Sequence, residues 1–241
     1  VVVTFANGAL SDFARNWLAH LDKTAVRESA LIGATDAEAK AALAYSGRCF
    51  ALESALGAGE AKWGSPGFSH MGRTKAALTE QLVLLNVTLL LADADVVFVR
   101  DPLPWIAARL HDGADILFHT DAFASAASQR ALGGGGGSGP TSVDAAMLDA
   151  IDDPRVAFGA SELNTGLFVL TPRAAPLASE WVEAVGRPGA FENWKNDQQA
   201  FNELLRRHVT SRDGADHLIR LRVGATTLRL GLMPAQLFPS G

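Results

Sequence analysis

Short apolar runs alternate along the chain with segments whose apolar residues recur at helical spacing. The runs predict strands at residues 1–6, 30–34, 89–92, 114–118, 162–170, 218–223 and 227–233. The helically spaced segments predict helices at residues 11–21, 37–44 and 71–85, a short helix after 102–105, and helices through 181–185 and from 196 onward. Strands and helices that alternate with short joins are typical of an α/β protein with a mainly parallel sheet.

Polar residues follow several of these strands directly. Asn7 follows the first strand, Asp36 follows the second, and Asp93 and Asp95 follow the run at 89–92. In parallel sheets, ligands bind outside the carboxyl ends of the strands. For Asn7 and Asp36, a turn residue or a helix cap is the more frequent role. The pattern therefore indicates a ligand site at this edge and leaves both roles open for those two residues.

The pair Asp93 and Asp95 carries the most specific chemistry in the chain. Residues two apart share one face of a strand, and a tight turn could also bring both acids together. Two adjacent carboxylates repel each other unless a cation lies between them or one takes up a proton. A hard divalent ion with oxygen ligands meets that need and keeps positions open for phosphate oxygens. The pair predicts metal-assisted handling of a phosphorylated donor, although Asp-x-Asp also occurs by chance in turns.

Four further positions are candidates for the same site. Arg73 and Lys75 lie in the first turns of the predicted helix 71–85 and could reach a diphosphate, or could belong to a solvated helix face. Gly166 lies inside a predicted strand, which often marks the close approach of a ligand or of another backbone. Asp197 lies in the first turn of a helix, where the helix dipole alone would also explain an acid.

Composition narrows the function classes. The 241 residues have 48% hydrophobic content and a formal net charge of −5, which is ordinary for a globular protein and gives no reason to expect a nucleic-acid partner. The single cysteine, Cys49, excludes an internal disulfide and a Cys-x-x-Cys site. No apolar stretch of about 18 residues predicts a membrane span. Five consecutive glycines lie within residues 122–140, a predicted flexible loop.

Three segments together resemble the nucleotide-diphospho-sugar transferase family of plants and algae, which includes retaining arabinosyl- and xylosyltransferases of glycosyltransferase family 77. They are residues 90–102 with the Asp-x-Asp pair, 163–166 and 196–202, and the opening 4–7 and closing 237–239 are also similar. The likeness covers nearly the whole chain. It implies one domain over residues 1–241 with the Rossmann-like glycosyltransferase A fold, a mostly parallel central sheet flanked by helices.

The resemblance also implies roles for single residues. Asp93 and Asp95 match the pair that binds Mn²⁺, or Mg²⁺, and through it the diphosphate of a UDP-sugar, with Asp93 also near the ribose. Asp197, Gln198 and Asn164 match positions beside the donor sugar and are the predicted catalytic residues. The predicted donor-binding residues are Thr4, Phe5, Ala6, Asn7, Asp36, Arg73, Lys75, Asp93, Thr165 and Gly166.

The function that follows is a metal-dependent retaining glycosyltransferase. The resemblance implies transfer of a pentose or galactose from a UDP-sugar to a glycan or glycoprotein acceptor. It also implies a catalytic domain in the Golgi lumen that belongs to a type II membrane protein, with no membrane contact from this segment itself. Related retaining enzymes place a third metal ligand, a histidine, near the carboxyl end of the domain, and this chain has no histidine after His217.

Two alternatives remain open from the sequence. A non-catalytic domain that binds sugar nucleotides would share the same residues, and the missing histidine makes it the harder of the two to exclude. A haloacid dehalogenase-type phosphatase also has Asp-x-Asp after a strand. Its usual Thr or Val two residues past the second acid finds Val97 here, but its downstream lysine and acidic pair are not evident.

Overall fold

The structure is a computed structural model of the chain. It describes residues 1–62, 64–120, 163–187, 189–190, 196–211, 218–233 and 237–238. The glycine-rich loop predicted at 122–140 lies outside the described residues. Among the helices that are described, none is long and apolar enough to cross a membrane.

The strands of the described part of the chain form one sheet. They are β1 (Val2–Ala6), β2 (Ala30–Ala34), β3 (Cys49–Ala51), β4 (Leu89–Ala92), β5 (Ile116–Thr120), β6 (Leu163–Leu170), β7 (Val209–Ser211), β8 (Ile219–Val223) and β9 (Thr226–Leu232). Their order across the sheet is β3-β2-β1-β4-β6-β5-β9-β8-β7. Strand β6 is antiparallel to both β4 and β5, and β8 is antiparallel to both β7 and β9. The other neighbours pair in parallel, so all described strands except β6 and β8 run in one direction.

Helices cover both faces of this sheet. They are α1 (Ser11–Leu21), α2 (Ala37–Leu43), α3 (Pro66–Leu84), α4 (Leu103–His111), α5 (Ala175–Gly186) and α6 (Asp197–His208). Buried side chains of α3, α5 and α6 pack with Val3 and Phe5 of β1 on one face. Buried side chains of α1, α2 and α4 pack with Val2 and Ala6 on the other. The mostly parallel sheet with flanking helices confirms the predicted α/β fold.

The prediction from the sequence was wrong for two short edge strands and for the start of one helix. Strands β3 and β7 were not predicted, and each has three residues, too few to show a clear alternation. Helix α3 begins at Pro66, five residues before the predicted start, because Ser65 caps its amino end and proline suits the first helical position. Arg73 and Lys75 therefore lie well past the first turn.

Ser11-Asp12 in the sequence predicts an amino-terminal cap for α1, and this prediction is also wrong. Ser11 is the first residue of that helix, and its hydroxyl donates to the carbonyl oxygen of Asn7. The side chain of Asn7 caps a short 3-10 turn, Gly8–Leu10, that precedes the helix. The Asn7 side chain at the end of β1 thus caps the 3-10 turn that leads into α1.

Candidate active site

The carboxyl end of β4 meets the beginning of β6 because the two strands are antiparallel. After Ala92 the chain makes a tight turn, in which the backbone amide of Val96 donates to the carbonyl oxygen of Asp93 at 3.1 Å. The amide of Asp93 donates to the carbonyl oxygen of Gly166 at 2.7 Å. The turn that carries Asp93 and Asp95 is therefore anchored to β6.

A buried lysine reaches this turn from α3. The ammonium nitrogen of Lys75 lies 2.8 Å from Oδ1 and 3.1 Å from Oδ2 of Asp93. It also donates to the carbonyl oxygen of Thr165 at 3.1 Å. The Lys75 side chain is 5% exposed, and a charge so deeply buried is tolerated only where it is paired and hydrogen-bonded. Lys75 and Asp93 therefore form a buried ion pair.

A second carboxylate contacts the same lysine. Asp197 is the first residue of α6, and its Oδ2 lies 3.6 Å from Nζ of Lys75. The hydroxyl of Thr165 donates to that oxygen at 2.9 Å. The indole nitrogen of Trp181 donates to the backbone carbonyl oxygen of Asp197 at 3.1 Å. Below, the Lys75 cluster means Lys75, Asp93, Thr165 and Asp197.

The cluster has more negative than positive charge. Burial by itself lowers the pKa of Lys75, but the Asp93 and Asp197 carboxylates outweigh it and raise that pKa above the ordinary value. Burial raises the pKa of Asp93, Lys75 opposes this, and Asp197 and Asp95 add to it. The burial of Asp93 is partial, because 37% of its side-chain surface remains accessible. Two acids thus share one ammonium, and the exposed Asp95 adds a third negative charge nearby.

Close contacts at two glycines hold the cluster together. A Cβ atom on Gly72 of α3 would lie 2.8 Å from Cβ of Asp197, so only a glycine lets these two helices approach so closely. A Cβ atom on Gly166 would lie 3.0 Å from Oδ2 of Asp93 and 2.8 Å from Oδ1 of Asn164. The close contacts at Gly166 come from the side chains of Asp93 and Asn164, and the predicted approach of a ligand stays a prediction.

The structure brings the other two predicted catalytic residues to the same place. Oδ1 of Asn164 accepts a hydrogen bond from the amide of Gly166 at 2.6 Å. Oε1 of Gln198 accepts one from the amide of Thr165 at 3.3 Å. Asn164 and Gln198 therefore border the Lys75 cluster on its β6 side.

A residue with no predicted role ties α6 to β6. The side-chain amide of Asn202 donates to the carbonyl oxygen of Leu163 at 2.8 Å and accepts from the amide of Leu163 at 2.9 Å. It also donates to the carbonyl oxygen of Gln198 at 2.9 Å. Asn202 lies in the 196–202 segment of the resemblance, but no sequence signal identifies this pairing. It fixes the distance between the first turn of α6 and the start of β6.

The predicted metal ligands are carboxylates, the type of oxygen donor that hard divalent ions prefer. Asp93 and Asp95 lie on one tight turn, and Asp95 is exposed. No group of three or more His, Cys, Asp or Glu residues is close enough to hold a metal within the part of the chain that the structure describes. Magnesium-type ions are commonly held by one or two carboxylates, with substrate phosphates and water completing the shell. The two acids therefore meet the minimum for an ion shared with a diphosphate.

Asn7 and Asp36 follow their strands as predicted but act as caps. The amide of Asn7 donates to the carbonyl oxygens of Gly57 and Gly59 at 2.9 and 2.7 Å. Oδ1 of Asp36 caps α2 through a 2.7 Å bond from the helix backbone, and Oδ2 accepts from the amide of Gly8 at 2.9 Å. The structure thus uses both side chains to hold neighbouring backbone, and neither has a bond to the Lys75 cluster.

The remaining predicted donor-binding residues lie apart from the cluster's polar contacts. Thr4 and Ala6 are fully buried on the α1 and α2 face of the sheet, and Phe5 is buried on the α3 face. Nε of Arg73 donates to the carbonyl oxygen of Val185, near the end of α5, at 3.0 Å. Of the two predicted basic residues, Lys75 therefore contacts Asp93, and Arg73 contacts the backbone of α5.

Comparisons with known proteins give a consistent result. The model of the nucleotide-diphospho-sugar transferase family matches residues 25–241. Arabinosyltransferase XEG113 of Arabidopsis thaliana is 32% identical over 245 residues, which cover the whole of this chain and 33% of that protein. The chain therefore spans about a third of the length of this curated relative.

Proposed function

The chain belongs to the nucleotide-diphospho-sugar transferase family, and we propose that it is a metal-dependent, retaining glycosyltransferase that uses a UDP-sugar. The transferred sugar is a pentose or galactose, and the acceptor is a glycan or a glycoprotein. The observation that carries the proposal is the Lys75 cluster, which lies at the carboxyl edge of the sheet next to exposed Asp95. The similarity to an arabinosyltransferase favours a pentose.

Asp93 and Asp95 would hold the Mn²⁺ or Mg²⁺ ion in this proposal. Bound there, the ion would act as a Lewis acid for the diphosphate that leaves the sugar. The proposal is supported by two hard oxygen donors on one turn and by the accessibility of Asp95. Lys75 neutralises part of the charge of Asp93 and keeps its carboxylate in a fixed place.

Asp197 and Gln198 would act on the sugar. Retention at the anomeric carbon needs either a protein nucleophile on the face opposite the leaving group or attack from the same face as departure. Asp197 is the candidate for the first route, because its carboxylate is held at the cluster. Gln198 is the candidate for electrostatic support in the second route, and its bond to Thr165 holds it beside Asp197.

A non-catalytic sugar-nucleotide domain is the second candidate. It is favoured by the absence of a group of three metal-ligating residues among those described and by the use of Asn7 and Asp36 as caps. Such a domain would bind UDP without turnover. The family assignment argues against the phosphatase alternative.

The cellular setting is also proposed from the resemblance. The chain would work in the Golgi lumen as the catalytic domain of a type II membrane protein. The similarity to a plant arabinosyltransferase supports this setting.

The proposal is tested by measuring UDP release from UDP-arabinose, UDP-xylose and UDP-galactose, with Mn²⁺ present or removed by a chelator. We expect Mn²⁺-dependent release from at least one donor, faster with an oligosaccharide acceptor, and a product that keeps the anomeric configuration of the donor. UDP binding without release from any donor would favour the non-catalytic alternative. Phosphate release from simple phosphoesters without use of UDP-sugars would contradict the transferase proposal.

A further inference from the structure

The two carboxylate oxygens of Asp197 have different surroundings. Oδ2 accepts the hydrogen bond from the Thr165 hydroxyl at 2.9 Å and lies 3.6 Å from Nζ of Lys75. Oδ1 has no hydrogen-bond or ionic partner among the described residues, and it lies beside α3, where a Cβ atom on Gly72 would come within 3.2 Å of it. The Asp197 side chain is 8% exposed. One oxygen is therefore anchored by polar contacts, and the other makes none among the described residues.

The rest of Asp197 has little freedom to move. Its backbone carbonyl oxygen accepts from the indole of Trp181, and its Cβ is in close contact with Gly72. The direction of the carboxylate is then decided by what holds Oδ2. Lys75 alone cannot fix that direction, because it contacts Asp93 more closely, at 2.8 Å against 3.6 Å for Asp197.

Thr165 is suited to set the direction of the carboxylate. The residue is 2% exposed, and its branched Cβ restricts rotation about χ1. Its three polar groups contact three different site residues. The amide donates to Gln198, the carbonyl oxygen accepts from Lys75, and the hydroxyl donates to Asp197. A small movement of Thr165 would therefore misplace several groups at once.

We propose that Thr165 is a positioning residue whose hydroxyl holds Oδ2 of Asp197, so that Oδ1 is the oxygen presented to the sugar of the nucleotide-sugar donor. This inference rests on the proposed function and adds a division of labour between the two oxygens. Fixed geometry of this kind raises the rate of the chemical step more than it raises affinity, because misplacement by about 1 Å can cost about 100-fold in rate.

The test compares Thr165→Val, which keeps the shape and removes the hydroxyl, with Thr165→Ser, which keeps the hydroxyl. The matched control is Thr171→Val at the other end of β6, where the buried hydroxyl has no hydrogen-bond partner in the described structure. We expect Thr165→Val to lower kcat for UDP-sugar turnover by about 10- to 100-fold with KM changed less than about threefold. Thr165→Ser should restore most of kcat, and Thr171→Val should match the wild type.

Crystal structures of the wild type and of Thr165→Val give a readout that does not depend on turnover. We expect the Asp197 carboxylate to rotate in the variant while α6 stays in place. Thr165→Ala supplies the same deletion if Thr165→Val does not fold. An unchanged Asp197 carboxylate, or a normal kcat in a variant without the hydroxyl, would overturn the positioning role and leave the proposed function intact. Failure of the wild type to turn over any nucleotide-sugar would instead overturn the proposed function, and the assignment of Oδ1 with it.

Discussion

Asp115 and Asp93 lie at opposite ends of the parallel strands of the sheet and are stabilised in different ways. Asp115 precedes β5, and its Oδ2 accepts from the backbone amide of Arg229 at 2.9 Å. Its Oδ1 lies 3.0 Å from Nε of Arg173, whose side chain is 65% exposed. Asp93 follows β4 and has both oxygens on the buried ammonium of Lys75, which it shares with Asp197.

In the proposed function, this difference separates an acid that stabilises the fold from acids that bind a ligand. Asp115 is matched by one exposed cation and by a backbone donor, which is enough to offset its burial. At the carboxyl end of β4, two acids share one lysine, the Asp95 carboxylate is exposed, and Oδ1 of Asp197 has no polar partner among the described residues. Perturbed, densely packed charges of this kind are typical of functional sites. The predictions below test this contrast, beginning with the largest expected loss of stability.

Replacement of Lys75 by Met should have the largest effect on stability. It would leave two carboxylates without their shared cation in a buried place, and breaking a buried pair in this way costs about 3–5 kcal/mol. Chemical denaturation of the wild type and of the variant measures the difference in free energy of unfolding. The control is Lys40→Met, at a helix position away from the cluster, which should change stability by less than about 0.5 kcal/mol. Equal stability of both variants would contradict the buried pair.

Asp115→Asn should destabilise the fold by a smaller amount. The change removes the charge but keeps the shape, and a hydrogen bond to a charged group contributes about 1.5–3 kcal/mol. Solvent screening of the exposed Arg173 lowers the expected loss to about 1–2 kcal/mol. The same denaturation experiment measures the loss in free energy of unfolding. A loss as large as that of Lys75→Met would contradict the contrast between Asp115 and the Lys75 cluster.

Most of the sheet, the cap of α2 and the residue just past α3 could be predicted from the sequence. The apolar runs of β1, β2 and β4 identify buried strands, and Asp36 is recognisable as a cap of the next helix. Asn86 follows the predicted helix 71–85, where asparagine suits the left-handed conformation, and its φ of 61° confirms this. These features are local, so residue type and spacing are sufficient to find them.

The Lys75 cluster could be predicted only in part. Asp93 and Asp95 are two residues apart, so the sequence pattern identifies them as a pair. Asp197 contacts Lys75 from more than a hundred residues away, and spacing along the chain contains no information about that contact. Thr165 and Asn202 act through hydrogen bonds between β6 and α6, which depend on how the helix docks. The sequence does not predict the start of α3 correctly, because the glycine-rich stretch before Ser65 is typical of a loop.

The pH dependence of the free energy of unfolding should also show the contribution of the Lys75 cluster. The pKa of Lys75 is raised in the folded state, so its contribution to stability is complete below the ordinary lysine pKa of about 10.4. That contribution is lost as the pH rises through the higher folded-state value. The wild type should therefore lose its advantage over Lys75→Met at strongly alkaline pH, and a difference that stays constant to the highest pH measured would contradict the shift.

Asp36→Ala should have a smaller effect than the changes above. It removes the cap of α2, whose loss costs about 1 kcal/mol in typical helices, and also the bond to the amide of Gly8. Asp36→Asn is the matched variant, because asparagine caps helices nearly as well. The melting temperature should fall for the alanine variant and recover for asparagine. Equal melting temperatures for Asp36→Ala and the wild type would show that the cap adds nothing to stability.

The most direct test of the central claim compares Asp95→Asn with Asp115→Asn in Mn²⁺-dependent UDP release from the best UDP-sugar donor. Asp95 is exposed, so its change should alter stability by less than about 0.5 kcal/mol. The account predicts that Asp95→Asn stays folded and loses at least about 100-fold in activity, as expected for removal of a metal ligand. It predicts that Asp115→Asn is less stable but active per folded molecule. Wild-type turnover by Asp95→Asn would contradict the account.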